Sequence, residues 1–142
     1  MAVRDPAPFY GSPVLTFPVL SAGVACAAGG ANTYGVESDV VVTADLVAAG
    51  FAGDVLLESV TIRSPSAGET GKVRIGHQTG AGGIIYIAEV DFECATDAGW
   101  TVRYDLLGRG GLIPAGADIV ASQKTTGGAA TITVSVGVMS PS

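Results

Sequence analysis

Residues 110–138, GGLIPAGADIVASQKTTGGAATITVSVGV, decide the fold because apolar and small polar residues alternate along much of their length. The last eight residues carry an aliphatic side chain at every second position: Ile132, Val134, Val136 and Val138. Side chains two residues apart lie on the same face of a β-strand. The pattern therefore predicts a strand with one buried face. No residue in this stretch could exchange a proton near neutral pH, so its role is expected to be architectural.

Two turn signals interrupt the stretch. In LIPAGADI, Pro114 suits the second position of a tight turn and Gly116 suits the fourth, which predicts a sharp corner between two strands. The segment KTTGGAA, residues 124–130, predicts a hairpin into the final strand.

The same period of two recurs upstream, whereas no window shows an apolar stripe at helical spacing. Residues 84–94 give the clearest strand, with Ile84, Tyr86, Ala88, Val90, Phe92 and Cys94 predicted on its inner face. Residues 38–47 place Val40, Val42, Ala44 and Leu46 on an apolar face, and residues 100–107 do so with Trp100, Val102, Tyr104 and Leu106. The remaining segments are 14–20, 55–64, 72–77 and 117–123. About eight strands predict an all-β protein, an antiparallel β-sandwich or jelly roll.

The first 13 residues, MAVRDPAPFYGSP, differ from the rest because they contain three prolines and no periodicity. We expect them to form an extended N-terminal arm. Residues 14–142 are then expected to form a single β-sandwich domain, a normal size for one core.

Charge is scarce in this chain. Charged residues make up 14% of it, against about 25% in an average protein, while apolar residues make up 48%. Because charges are depleted from interface cores, this composition predicts a surface covered by sister subunits or by a larger assembly. The net charge of -6, with seven Lys and Arg residues, predicts that neither nucleic acid nor an anionic membrane is the partner.

Residues 6–36 contain no charge, which raises the alternatives of a signal peptide or a membrane span. Pro18, Thr16 and Ser21 interrupt the apolar run, and Asp5 cancels the charge of Arg4 before it. We therefore expect neither.

The two cysteines, Cys26 and Cys94, lie 68 positions apart and form no CxxC pair. Cys94 falls on the inner face of its predicted strand. Buried free thiols are the favoured interpretation, and a disulfide is the alternative.

Three carboxylates, Glu89, Asp91 and Glu93, share the outer face of the strand at 84–94. Such a row could serve a calcium site or a glycosidase, but it is also typical of a solvated strand face. If residues 77–83 form a hairpin loop, Lys72 and Arg74 would lie opposite Glu89 and Asp91 on the same face, and we expect this ion-paired arrangement.

Catalytic motifs are weak. His77 is the single histidine and is expected at a strand end, and no G-x-S-x-G motif occurs. The glycine-rich TGAGG, residues 79–83, precedes a strand and not the helix that phosphate binding needs. We expect no enzymatic activity and no cofactor. A hydrolase using Glu89 and Asp91 remains the enzymatic alternative.

Aromatic residues supply the candidates for partner binding. Trp100 and Tyr104 could form a sugar-stacking platform, but their alternation with Val102 and Leu106 predicts that they face the core. Aromatic residues in irregular segments are better placed to anchor a partner. The predicted partner-binding residues are Pro8, Phe9, Tyr10 and Tyr34.

The pattern from GWTVRYDLLGRGGLIPAGADIVASQ (99–123) through AATITVSVGV (129–138) resembles the C-terminal half of the small jelly-roll proteins that decorate tailed-bacteriophage heads. As a strand pattern the resemblance covers residues 36–138. Trimeric jelly rolls of the tumour-necrosis-factor type have similar corners.

The resemblance implies a structural virion protein, assembled in the host cytoplasm, that binds the outer surface of the capsid. There it would clamp neighbouring major capsid subunits, as a homo-oligomer and often a trimer, with its arm reaching a neighbour. A carbohydrate- or receptor-binding jelly-roll module of a phage tail or fibre is the alternative.

Overall fold

The structure, a computed structural model, describes residues 14–18, 23–95, 99–106 and 109–141. These residues form ten strands and one short helix: β1 (Leu15–Phe17), β2 (Val24–Ala27), β3 (Ser38–Val41), α1 (Thr43–Ala48), β4 (Val55–Arg63), β5 (Glu69–Gln78), β6 (Ile85–Cys94), β7 (Thr101–Asp105), β8 (Leu112–Ile113), β9 (Asp118–Thr125) and β10 (Thr131–Met139).

The strands form two antiparallel sheets that pack as a sandwich. One sheet has the order β2-β10-β4-β7, with β1 also paired to β10 and β8 to β4, and the other has the order β3-β9-β5-β6. The chain changes sheet repeatedly, which is the strand arrangement of a jelly roll. The predicted antiparallel β-sandwich is confirmed, while the predicted arm, residues 1–13, lies outside the described residues. The two strands that the sequence did not predict, β2 and β8, are only four and two residues long.

The core lies between the sheets. The predicted inner residues of β10 are all fully buried, as are Val60 and Ile62 of β4. Trp100 and Tyr104 are half-buried and pack against this core, as predicted. Both cysteines are buried free thiols, which confirms the favoured interpretation. Burial raises the pKa of the Cys26 thiol, while a hydrogen bond with Ser38 partly opposes this.

Residues 38–47 do not form one strand, so that prediction is wrong. The pairing of β3 with β9 shifts register between Asp39 and Val41, and the chain then turns into helix α1. The Thr43 N–H at the helix start donates to Asp118 Oδ1 at 2.8 Å, which satisfies one of the free N–H groups of a first turn. Leu46 is the buried residue of this helix.

The turn predictions also need correction. The Ala117 N–H donates to the Pro114 carbonyl, so Pro114 is the first residue of the turn and Gly116 the third. The φ of Gly116 is +86°, as the third position of a type II turn requires. Residues 124–130 are not a hairpin, because β9 and β10 belong to different sheets. Lys124 and Thr125 end β9, and residues 126–130 cross from one sheet to the other.

The N-terminal end of β6 departs from the predicted alternation. Ala88 pairs with Ile75 and Tyr86 pairs with Gly76, so Ile87 is an extra residue that forms a β-bulge. The bulge reverses the faces of the residues that precede it. Ile84 and Tyr86, predicted to face the core, therefore lie on the outer face with Gly76.

Candidate functional site

The outer face of the β3-β9-β5-β6 sheet carries a network of ion pairs. Lys72 pairs in register with Asp91 and Arg74 with Glu89, which confirms the predicted hairpin and its charge matching. Lys72 Nζ lies 2.6 Å from Asp91 Oδ1 and 3.9 Å from Glu89 Oε1. The hydrogen bond to Asp91 raises the pKa of Lys72. The carboxylate row is thus partly neutralised by its neighbouring strand.

Arg74 lies between two tyrosine rings at the centre of this face. Its guanidinium carbon is 3.9 Å from the ring centroid of Tyr34 and 4.0 Å from that of Tyr86. A cation over an aromatic face is attracted by the ring's negative quadrupole. We call Tyr34, Glu37, Arg74, Tyr86 and Glu89 the Arg74 cluster.

Hydrogen bonds fix each member of the Arg74 cluster. Arg74 Nη2 donates to Glu37 Oε1 at 2.9 Å, and Arg74 Nε donates to Ser122 Oγ at 2.8 Å. The Tyr86 hydroxyl donates to Glu37, and the Tyr34 hydroxyl donates to Glu89 Oε2 at 2.5 Å. Segment 34–37, β9, β5 and β6 are therefore linked across the sheet surface.

The pKa shifts follow from these contacts. Burial first, and then the hydrogen bond and negative charge of Glu89, raise the pKa of Tyr34. Burial and Glu37 raise the pKa of Tyr86 in the same way. Although burial alone would raise the pKa of Glu37, hydrogen bonds from Tyr86, its own backbone and Arg74 bring it below its usual value. Both phenols are therefore protonated at neutral pH, and the cluster is a preorganised Tyr and Arg surface of the kind enriched in protein interfaces.

Tyr34 is the one predicted partner-binding residue that the structure describes. Pro8, Phe9 and Tyr10 lie outside the described residues. Whether Tyr34 binds a partner stays a prediction. Tyr86 was missed as a surface residue, although the unbroken apolar run IIYI at 84–87 shows no outward polar residue and was itself a sign of irregular alternation.

Glu69, at the start of β5, holds the crossing between β9 and β10. Its carboxylate accepts hydrogen bonds from the N–H groups of Ala129 at 2.9 Å and Ala130 at 2.8 Å, from that of Gly127, and from Thr125 Oγ1 at 3.1 Å. Burial opposes ionisation, but these donors together bring the pKa of Glu69 below its ordinary value. No local feature of the sequence predicts this contact.

Replacing Glu69 with Gln is expected to lower the melting temperature at pH 7 by several degrees, because the amide offers one acceptor where the carboxylate offers two. A folded-state pKa below the unfolded one gives stability that is present above the ordinary Glu pKa of about 4.3 and is lost as the pH falls through the folded value. Thermal melts from pH 7 to pH 3 should therefore show the two proteins converging. Glu93→Gln, which changes an exposed carboxylate of the same hairpin, is the control, and its melting temperature at pH 7 should match that of the wild type.

Exposed apolar side chains gather at one end of the sandwich. Strand registers place the start of β6, the start of β9, the end of β10 and helix α1 at this end. Ile85 and Val47 are each 60% exposed and Leu112 is 47% exposed. We call this surface the apolar end; its exposed members are Val14, Val42, Val47, Ile85 and Leu112. Clustered exposed apolar side chains mark interaction surfaces more often than single ones do.

The described residues also form an apolar groove of about 580 Å³ beside β1 and α1, lined in part by Leu15, Phe17, Pro18, Ala48 and Ala49. No group of three or more His, Cys, Asp or Glu residues within the described ranges could hold a metal ion. In the same ranges, no helix has the length and apolarity needed to cross a bilayer. His77 is buried near the end of β5, as predicted for a strand-end residue.

Comparisons with known proteins assign this chain neither a family nor a function. No protein-family model matches this sequence, and a search of curated proteins finds no match. Among solved structures, a chain of "Structure of infectious bursal disease virus Gx strain" aligns with 91% of this chain and 33% of its own length, at 11% identity and a TM-score of 0.40. This chain thus spans about a third of that protein, and the likeness is too weak to support a functional argument.

Proposed function

We propose that this chain is a structural protein of a virus particle that binds the outer surface of a phage head and stabilises the shell by clamping neighbouring major capsid subunits. The observation that carries the proposal is the apolar end on a jelly roll with few charges. Covering exposed apolar side chains with a partner surface removes them from water, which favours binding. In this role the chain acts by binding and catalyses no reaction.

The resemblance of residues 36–138 to phage decoration proteins supports this choice of partner over other protein surfaces. The proposed mechanism is multivalent. A homotrimer presents three apolar ends and three N-terminal arms, with Pro8, Phe9 and Tyr10 as anchoring residues, and linked contacts raise the overall affinity although each is weak. Tyr34 would add an anchor from the Arg74 cluster. Localisation on the virion surface, after assembly in the host cytoplasm, is part of the same proposal.

The test is sedimentation of the purified chain with shells assembled from the major capsid protein encoded in the same genome. The wild-type chain is expected to pellet with shells and to saturate at a fixed ratio. Deleting residues 2–13, or replacing Ile85 and Leu112 together with lysine, should leave the chain in the supernatant. In the lysine variant, two charges at the apolar end would have to lose their hydration when the shell binds, which costs free energy.

Thr101→Lys is the charge control, because Thr101 is exposed at the start of β7, away from both the apolar end and the Arg74 cluster. It should still pellet with shells. Circular dichroism of every variant verifies that the sandwich is folded. Failure of the folded wild-type chain to bind shells would contradict the proposed function, and normal binding by the deletion variant would contradict the role of the arm.

A receptor- or glycan-binding module is the second candidate. A shallow surface pocket lined by Arg74, Tyr86, Ile87, Ala88 and Glu89 favours it, since it combines a partly exposed aromatic ring with charged groups. Ligand sites typically place a few polar groups around an apolar floor.

A further inference from the structure

Strand β6 lies at an edge of its sheet. It has ten residues, and among the strands of the described ranges it pairs with β5 alone. Its inner side chains Val90, Phe92 and Cys94 are buried, so the strand is held firmly in place. An exposed edge of this length presents backbone N–H and C=O groups that can pair with a further strand.

The contact with Tyr104 shows which residues present those groups. The Tyr104 hydroxyl, which comes from β7 in the opposite sheet, donates to the Asp91 carbonyl. In an antiparallel strand the N–H and C=O of one residue point to the same edge, and those of the next residue point to the other. The backbone groups of Asp91 therefore point away from β5, as do those of Glu89 and Glu93. These three residues thus present six backbone N–H and C=O groups at the edge, of which the Asp91 carbonyl already accepts the hydrogen bond from Tyr104.

The side chains of these three residues indicate what kind of strand could pair here. They lie on the outer face, where a residue directly opposite on an added strand would have its Cβ about 5 Å away. Lys72 of β5 forms ion pairs with Asp91 and Glu89. Glu93, in contrast, lies opposite Thr70, an uncharged residue. An added strand with Lys or Arg at alternate positions would neutralise the remaining negative charge of these three carboxylates.

The same charges argue against two other occupants. If β6 of a second copy paired here antiparallel, the two acidic rows would lie side by side, and like charges opposite each other are unfavourable. The chain's own residues 1–13 contain three prolines and one arginine, so they cannot supply a regular row of hydrogen bonds or charges.

We propose that the β6 edge binds an extended segment of another protein by strand addition, and that this segment alternates basic with apolar residues. The basic side chains lie beside Glu89, Asp91 and Glu93, and the apolar ones extend the inner face beyond Val90 and Phe92. The proposal does not depend on binding to a phage head.

The experiment uses the full chain and a synthetic seven-residue peptide in which lysine or arginine alternates with valine, and its readouts are calorimetry and residue-resolved amide exchange. We expect a Kd below about 1 mM, weaker binding as salt is added, and slower exchange of the Glu89, Asp91 and Glu93 amides. A peptide with glutamate in place of the basic residues should not bind.

Variants separate charge from backbone pairing. Glu93→Lys should weaken binding of the peptide about fivefold. Glu93→Pro should also weaken binding, because proline lacks the backbone N–H that points away from β5. Asp39→Lys makes the same charge change on β3, the opposite edge of the sheet, and should bind as wild type. Absence of binding, equal binding of the acidic peptide, or binding without protection of the three amides would each overturn the proposal. If Glu93→Pro fails to fold, Glu93→Lys and the exchange data still decide it.

Discussion

Replacing Gly35 with alanine is expected to lower the free energy of unfolding by about 3 kcal/mol, the upper part of the usual range for overpacking. A Cβ at this position would lie 1.8 Å from the Ala27 carbonyl oxygen and 2.9 Å from its carbon. Both are backbone atoms at the end of β2, so a rotamer change cannot relieve the clash. The segment must move away from β2, and urea denaturation measures the loss.

The same movement would disturb the Arg74 cluster. The Gly35 N–H donates to the Gln123 carbonyl at 3.0 Å, and this bond fixes the segment that carries Tyr34 and Glu37. In Gly35→Ala, Tyr34 should lose its burial and its contact with Glu89, which are the largest causes that raise its pKa. A spectroscopic titration of the four tyrosines should then show one phenol ionising at lower pH than in the wild type.

Gly53→Ala is the matched control because an added Cβ there would meet no atom within 4 Å. Its free energy of unfolding should stay within about 0.5 kcal/mol of the wild type. If Gly35→Ala were equally well tolerated, segment 34–37 would have to pack on the sheet less tightly than described, and the rigidity ascribed to the Arg74 cluster would be wrong.

The sequence revealed most of the fold because a sandwich buries one face of each strand, and burial imposes a period of two. It failed where the backbone departs from that period. The bulge at Ile87 adds one residue and turns Tyr86 outward, while β3 has a register shift and ends at Val41, after which residues 43–48 form a helix. Residues 124–130 have the composition of a hairpin but cross between sheets, since the choice of partner strand depends on contacts far along the chain.

The candidate site was predictable only where it lies within one hairpin. Lys72 and Asp91 are brought together by the β5–β6 turn, and alternation was enough to match their charges. Tyr34 contacts Arg74 because segment 28–37 packs beside β2 and β9. Glu69 contacts Ala130 because the chain between β9 and β10 crosses from one sheet to the other. Neither contact has a local signature in the sequence.

Replacing Gln123 with Glu is expected to lower the free energy of unfolding at pH 7 by about 4 kcal/mol. Gln123 is fully buried, and its Nε2 donates to the Cys26 carbonyl at 3.0 Å and to the Ala130 carbonyl at 2.6 Å. An ionised carboxylate there would face two carbonyl oxygens without a donor, so burial should raise its pKa in the folded variant well above the ordinary Glu value. A fully buried carboxylate is shifted by about 3 pKa units or more, and each unit is worth about 1.36 kcal/mol of stability.

The sign of the pH dependence separates this effect from simple loss of a contact. Because the folded pKa lies above the unfolded one, the deficit of the variant relative to wild type should grow as the pH rises from 4 to 7. At pH 4 the protonated carboxyl can donate one hydrogen bond, and the remaining deficit should be about 1 kcal/mol. Denaturant titrations of both proteins at each pH measure this difference.

Gln78→Glu provides the matched comparison, because the Gln78 amide also donates to a carbonyl, that of Gly82 at 2.7 Å, but in a more exposed position at the end of β5. Water can solvate a carboxylate there, so the loss should stay near 1 kcal/mol and vary little with pH. Equal pH profiles for the two variants would mean that water reaches Gln123. In that case the polar link between β9, β2 and the 126–130 crossing would lie in solvent, and the packing of the two sheets at this end would have to be looser than the structure has it.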